Sequence, residues 1–312
     1  MNNPFAFVFP GQGSQSVGML KTWLERDIVK KTLACASDAL DEDIVELMCE
    51  GPAEQLNQTI NTQPIMLAAS YALYCAWREA KGLEPAILAG HSLGEYTALV
   101  VAEALNFSDA VKLVRFRAQA MQNAVPAGIG AMAAILGLQV ADVLEICVEI
   151  SSSAVVEAVN FNEPRQVVIA GHREAVEQAC ELAKRKGAKR ALMLPVSAPF
   201  HSSLLTSASI ELEKYLAGVD LQPPRIPIVN NVDVVIENDP KRIKNALVRQ
   251  AASPVRWLDC IQFMSRLGCH TMIECGPGKV LQGLIKRIDE TINTDNLSDY
   301  ASMCSIIDRM PR

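Results

Sequence analysis

The sequence predicts an α/β fold with a mainly parallel sheet, interrupted by a small inserted domain. Three observations lead there. Short apolar runs punctuated by Gly, Pro or Asn alternate with stretches of helical periodicity along most of the 312 residues. The order of elements changes between about residues 131 and 196. Pro-containing segments stand at both ends of that stretch. The length exceeds what one ordinary core needs, so a large domain with a smaller companion is expected.

Residues 5–9, 86–89, 226–229 and 271–273 read as buried strands of the large domain. Residues 1–10, MNNPFAFVFP, lack the basic segment, long apolar stretch and cleavage site of a signal peptide; they are expected to form the first strand, in a cytoplasmic protein. From Ala131 the pattern becomes strand (AMAAILGL), helix (140–150), strand (AVVEAV), turn (NFNEPR), strand (QVVIA), helix (174–186) and strand (RALMLPV). That β-α-β-β-α-β order is the ferredoxin-like signature. With Pro126-Ala127-Gly128 at its start and residues 195–199 at its end as hinges, the insert is placed at 128–197, leaving 1–127 and 198–312 as a discontinuous large domain. No internal repeat is present, the only low-complexity run is residues 151–153, and the last dozen residues are expected to be surface chain or frayed.

Half of the residues are apolar and 21% are charged, and no run approaches the roughly 18 consecutive apolar residues of a membrane span. A net charge of −6 gives no support to nucleic-acid binding, although Lys184, Arg185, Lys186, Lys189 and Arg190 form one dense basic cluster. Nine scattered cysteines, several in apolar stretches (Cys75, Cys147, Cys180), read as reduced thiols, with no zinc-ligand spacing.

Gly90-His91-Ser92-Leu93-Gly94 fits G-x-S-x-G, the pattern in which two glycines let a strand turn sharply into a helix and leave a serine oxygen exposed. An apolar strand precedes it and a helical stretch, residues 95–105, follows. Ser92 is therefore the candidate nucleophile, against the plainer reading of an ordinary strand-to-helix turn. Its base should be a histidine, and four exist. His91 adjoins the serine with its side chain expected elsewhere, His172 falls in the insert, and His270 precedes the last buried strand at the far end of the sheet. His201 lies just past the hinge, where the chain re-enters the large domain, and is the candidate base; the alternative is a surface histidine in a Pro-punctuated loop. No acid in 93–200 is placed to complete a triad, since Asp109, Asp142 and Glu163 read as caps or turn residues, and a plain hydrolase fits poorly.

On a helix spanning residues 110–121, Val111, Val114, Ala118 and Met121 mark the buried face, and Arg117 falls within that arc while Arg115 points to the polar side. A buried guanidinium needs either a protein acid or a ligand carboxylate, whose geometry its planar fork matches. Gly11-Gln12-Gly13 and Gly276-Pro277-Gly278 follow the first and last strands as tight turns without a nucleotide fingerprint. Such turns gather at the carboxyl ends of parallel strands, so a main-chain N–H of the Gln12 loop can join that of Leu93 as oxyanion donors. The 276–278 turn is read as structural.

FVFPGQGSQ (7–15), GHSLGEY (90–96), Arg117, GAMAAI (130–135), NFNEPRQVVIAG (160–171), PFHS (199–202) and ECGPGKVL (274–281) together resemble the malonyl-CoA:acyl carrier protein transacylases, over nearly the whole chain and in that family's order. The resemblance implies a hydrolase-like large domain with a ferredoxin-like insert. It implies Ser92 as nucleophile, His201 as base, the N–H groups of Gln12 and Leu93 as oxyanion hole, Arg117 as ligand of the malonyl carboxylate, and a main-chain carbonyl, that of Gln250, orienting His201. Leu93 and Phe200 resemble the malonyl-selective pattern. The implied activity is ping-pong transfer from malonyl-CoA to acyl carrier protein for fatty acid biosynthesis, with no cofactor beyond the coenzyme A thioester substrate, and the 184–190 cluster is a candidate docking surface. A serine thioesterase or esterase, and a non-catalytic carrier-binding module, are the rival expectations.

Overall fold

The structure is a computed structural model describing residues 4–151, 154–196 and 198–310. Nine strands occur among them: β1 Phe5–Phe9, β2 Ile87–Gly90, β3 Gly130–Leu136, β4 Val156–Glu163, β5 Gln166–His172, β6 Arg190–Met193, β7 Ile228–Val229, β8 Thr271–Glu274 and β9 Asn293–Asn296. They form two sheets, one five-stranded in the order β7-β2-β1-β8-β9 and one four-stranded in the order β4-β5-β3-β6.

Every pairing in the larger sheet is parallel. The strand β1 shows why its sequence is continuously apolar. Phe5, Phe7 and Phe9 pack into one core with Tyr74 and Trp77 of the helix Thr59–Glu79, and Ala6 and Val8 pack into a second core with Trp257, Met264 and Leu284. A central parallel strand is covered on both faces, so the alternation of side chains splits it between two cores without a polar face. In register Phe9 pairs with Gly90 and Val8 with Glu274, which brings the turns after β1, β2 and β8 to one end of the sheet.

Several expectations need correction. The strand β9 was not expected, because its sequence NTDN is polar and lies at the sheet edge, where burial leaves no apolar signature. Of residues 226–229 only Ile228–Val229 is strand; Pro227 has no N–H, and only its carbonyl joins the ladder by accepting from Leu88 N at 2.8 Å. The helix after the Ser92 motif is Gly94–Val101 instead of 95–105, ending before Glu103, whose φ is +59°. Residues 300–309 are not frayed chain: they form a helix, Tyr300–Arg309, capped by the Asp299 side chain, that buries Met303 and Ile306.

The smaller sheet is antiparallel, with helices Val140–Ile150 and Arg173–Arg185 as the two crossovers, the strand order of a ferredoxin-like unit. Alternation again divides one strand between two environments: Ala131, Ala133 and Ile135 of β3 pack under the two helices, and Met132 and Ala134 pack on the other side with Phe200 and Leu205. Residues 160–163, read from sequence as part of a turn, belong to β4, which carries irregularities between Ala158 and Asn160 and between Phe161 and Glu163. The strand is tied to the rest of the molecule through Val255, which donates to the Val159 carbonyl at 2.9 Å and accepts from Phe161 N at 3.0 Å. Ser152 and Ser153 of the serine run, and Ser197 at the end of the expected insert, lie outside the described residues. No helix among the described residues is long and apolar enough to cross a membrane.

Candidate active site

Ser92 stands on the corner between β2 and the helix Gly94–Val101 with φ of +52°, a region that L-residues occupy rarely. The flanking glycines let the corner close. A Cβ on Gly90 would lie 1.8 Å from the Gly94 carbonyl carbon, and one on Gly94 would lie 2.0 Å from the Phe9 carbonyl oxygen. The spacing of the motif is therefore set by backbone crossing backbone, which only glycine permits at both positions.

The half-buried Ser92 Oγ lies 2.7 Å from Nε2 of His201. His201 is itself at positive φ, +66°, and 4% exposed. Its Nδ1 lies 2.7 Å from the main-chain carbonyl of Gln250. A carbonyl only accepts, so Nδ1 carries the hydrogen and Nε2 presents its lone pair to the serine hydroxyl. Burial, and after it the positive charge of Arg117, push the His201 pKa down to about 3, which keeps the ring neutral. The surface-loop alternative for His201 is thereby excluded. Among the described residues no carboxylate hydrogen-bonds to it, and Asp142 serves as a helix cap as expected.

Arg117 is 1% exposed, on the helix Phe107–Asn123. It donates from Nη1 to Gln63 Oε1 at 2.8 Å, and from Nη2 to Gln250 Oε1 at 3.0 Å and to Ser92 Oγ at 3.1 Å. Every one of these acceptors is neutral. The internal ion pair left open by the sequence does not occur among the described residues, whereas Arg115, two residues earlier, turns outward to a two-pronged pair with Glu42 at 2.8 and 2.6 Å. Burial lowers the Arg117 pKa, opposed by Tyr96, whose ring centroid lies 5.2 Å from the guanidinium carbon.

Four residues at the site were not singled out from sequence: Gln63, Glu95, Asn162 and Asn231. Asn231 accepts from Ser92 N at 2.8 Å and donates to the Gly90 carbonyl at 2.7 Å, bracketing the corner. Glu95 accepts from Asn231 N and from Gln250 Nε2, each at 2.9 Å. Asn162 Oδ1 lies 2.8 Å from Nε2 of His91, which does face the site, against the expectation, with its ring 5.5 Å from that of Trp257. The available signal was polarity inside apolar surroundings. Gln63 lies in a helix whose residues 62–70 are all buried, and Glu95 is the one charged residue of the fully buried GEYTALVV.

These groups line a cavity of about 310 Å³. Gln12 and Leu93 face it, and among the described residues no protein acceptor meets either main-chain N–H, so both are free to bind an anion there. Gly276 and Gly278 serve the turn after β8: a Cβ on Gly276 would meet Pro10 at 2.5 Å, and Gly278 has φ of +82°. His172 accepts from Val155 N at 3.0 Å within the small sheet, and His270 lies beside Ser265, both away from the cavity. The basic cluster is divided. Lys184 pairs with Glu181 and Lys186 with Glu149, on the helix side of the small sheet. Arg190 of β6 lies opposite Leu136, on the face shared with the cavity-lining Ala134. All nine cysteines are free, and no cluster of three metal-ligating side chains occurs among the described residues.

A positioned serine, a neutral histidine held by a main-chain carbonyl, two free N–H groups and a buried cation with only neutral partners define a covalent acyl-transfer catalyst suited to an acidic acyl group. The comparisons agree with that class. Residues 6–311 match the acyl transferase domain family. Over 305 residues the chain is 50% identical to the malonyl CoA-acyl carrier protein transacylase of Escherichia coli K12, covering 97% of this chain and 99% of that one. It superposes with a TM-score of 0.96 on the acyl-carrier-protein S-malonyltransferase of Burkholderia pseudomallei 1710b, at 61% identity, covering 98% and 99% of the two chains. It also matches a malonyl-transacylase solved in complex with its type II PKS acyl-carrier protein, at 46% identity and a TM-score of 0.96, over 98% and 99% of the chains. The chain belongs to the malonyl CoA-acyl carrier protein transacylase family.

Proposed function

We propose that the protein moves a malonyl group from malonyl-CoA to the phosphopantetheine thiol of acyl carrier protein through a malonyl-Ser92 ester, supplying fatty acid biosynthesis. The observation that carries this reading is the buried Arg117 guanidinium, 3.1 Å from the Ser92 hydroxyl, with no acid paired to it among the described residues. A charge in that position favours an acyl group that brings a carboxylate. In the first half-reaction His201 Nε2 takes the Ser92 proton and Oγ attacks the thioester carbonyl. The oxyanion is held by the N–H groups of Gln12 and Leu93. Collapse breaks the carbon–sulfur bond, and coenzyme A leaves as a thiol with the proton from His201. In the second half the carrier's thiol gives its proton to His201 and attacks the ester, and Ser92 recovers its proton. The thioester is the only coenzyme this route needs, and it is consumed as substrate.

Acidic carrier protein docks, in this reading, on the cluster of Lys184, Arg185, Lys186, Lys189 and Arg190, of which Arg190 lies on the cavity-side face of the small sheet. The enzyme works in the cytoplasm. Its large domain is 1–127 with 198–312, and 128–197 is the insert. Intact-mass measurement after mixing with malonyl-CoA, followed by addition of carrier protein bearing phosphopantetheine, tests the function. A malonyl adduct that persists alone and moves to the carrier is expected. Rapid release of free malonate with no thiol acceptor would instead make the protein a thioesterase.

A further inference from the structure

Glu95 is a buried carboxylate that the transfer chemistry leaves without a task. It is 3% exposed, three residues past the nucleophile, and burial raises its pKa to about 7. Among the described residues no cation lies within ion-pair distance of it, so hydrogen bonds hold it in place. Both recorded bonds end on its Oε2. The one from Asn231 N leads to the side chain that brackets the Ser92 corner. The other comes from the Gln250 amide, and its direction matters more.

Gln250 is 0% exposed and stands between Glu95 and Arg117. Its Nε2 faces acceptors only: Glu95 Oε2 at 2.9 Å, the Ser92 carbonyl at 3.1 Å and Asn231 Oδ1 at 3.4 Å. Its Oε1 accepts from Arg117 at 3.0 Å. With the amide turned over, the NH2 would meet a guanidinium that only donates, and the oxygen would meet the Ser92 carbonyl, which only accepts, and the Glu95 oxygen that accepts in this arrangement. Glu95, at the shortest of these distances, fixes that orientation together with the Ser92 carbonyl and Asn231 Oδ1. A carboxylate touching Arg117 directly would compete with an acidic substrate; one acting through a neutral amide seats the guanidinium and does not occupy it.

Resting on the malonyl-transfer reading, we propose that Glu95 is a positioning residue for acyl selectivity: it holds the Gln250 amide with its oxygen toward Arg117, so that the guanidinium is seated without an ion pair and meets the substrate's carboxylate. The test is single-turnover acylation by malonyl-CoA and acetyl-CoA, read by intact mass, with circular dichroism to check folding. Glu95→Ala is expected to lower the malonyl-to-acetyl rate ratio about tenfold, while Glu95→Gln, which keeps an acceptor oxygen, restores it to within about threefold of wild type. Where Glu95→Ala does not fold, Gln250→Met keeps the main-chain carbonyl for His201, removes the bridge, and should show the same fall. A folded Glu95→Ala, or failing that Gln250→Met, whose ratio is unchanged or raised overturns the proposal, as does a Glu95→Gln that falls as far as Glu95→Ala. A wild-type protein that forms no malonyl adduct sinks the transfer reading itself, which is a separate result.

Discussion

The two sheets supply opposite kinds of wall to one cavity. At the carboxyl ends of the parallel sheet, and on the segments packed against them, stand Ser92, His201, Arg117 and the free N–H groups of Gln12 and Leu93. The antiparallel sheet and the chain leaving it contribute Met132, Ala134, Val168, Leu194 and Val196, with amides as their polar relief. The difference teaches a division of labour. Turns after parallel strands present main-chain N–H groups and place the reacting side chains, while a pleated antiparallel face offers a shaped, mainly apolar surface that excludes water.

If that division is real, changes on the two sides should have different signatures. The largest effects are expected at the proposed reacting pair, Ser92 and His201. Ser92→Ala should form no malonyl adduct, and His201→Ala should slow acylation by about 10²- to 10⁴-fold with an unchanged circular dichroism spectrum. Adduct formation at the wild-type rate by either variant would move the chemistry elsewhere. Next, Arg117→Ala should cost malonyl-CoA about 10²-fold relative to acetyl-CoA in competing acylation, since charged hydrogen bonds contribute about 1.5–3 kcal/mol each. An unchanged ratio would remove Arg117 from substrate recognition.

Titration sharpens the same contrast. The folded pKa of His201, about 3, lies below its ordinary value of 6.5, so the fold favours the neutral ring. Its contribution to stability is complete above about pH 6.5 and is lost as pH falls toward 3. Glu95 and Glu274, each raised to about 7 by burial, act with the opposite sign: their contribution is complete below about pH 4.5 and declines as pH rises through 7. Denaturant midpoints across pH 3 to 8 should show His201→Ala losing less stability on acidification than wild type; parallel curves would contradict the depressed pKa. The smallest functional effect is expected across the cavity. Met132→Ala, 5% exposed in the wild type, should lower stability by about 2 kcal/mol in urea unfolding and leave the malonyl-to-acetyl ratio within about threefold.

Sequence legibility followed the same line. Strands such as β1 and β2 declared themselves because burial on both faces demands unbroken apolar runs, whereas β9 is polar at an edge and carried no signal. The Ser92 corner was legible because it is local, its two glycines being imposed by contacts with Gly94 and Phe9. Arg117 was placed on the right helix face by periodicity, but its neutral acceptors were not, because Gln63 and Gln250 arrive from segments 54 and 133 residues away. Asn231 and Glu95 escaped for the same reason: they matter only where the corner and the 230–250 segment meet. The composition of residues 160–163 predicts a turn, and their pairing in β4 shows tertiary contacts overriding Asn punctuation, while Pro164 stays in the turn that follows.

The central claim is that Ser92 carries the acyl group and His201 serves it. The most direct measurement mixes the protein with malonyl-CoA, quenches within one turnover, digests, and maps the added mass by tandem mass spectrometry. The account predicts one malonyl group on the peptide containing Gly90-His91-Ser92-Leu93-Gly94, absent in Ser92→Ala. A malonyl group on any other side chain, or transfer to carrier protein by Ser92→Ala at the wild-type rate, would contradict it.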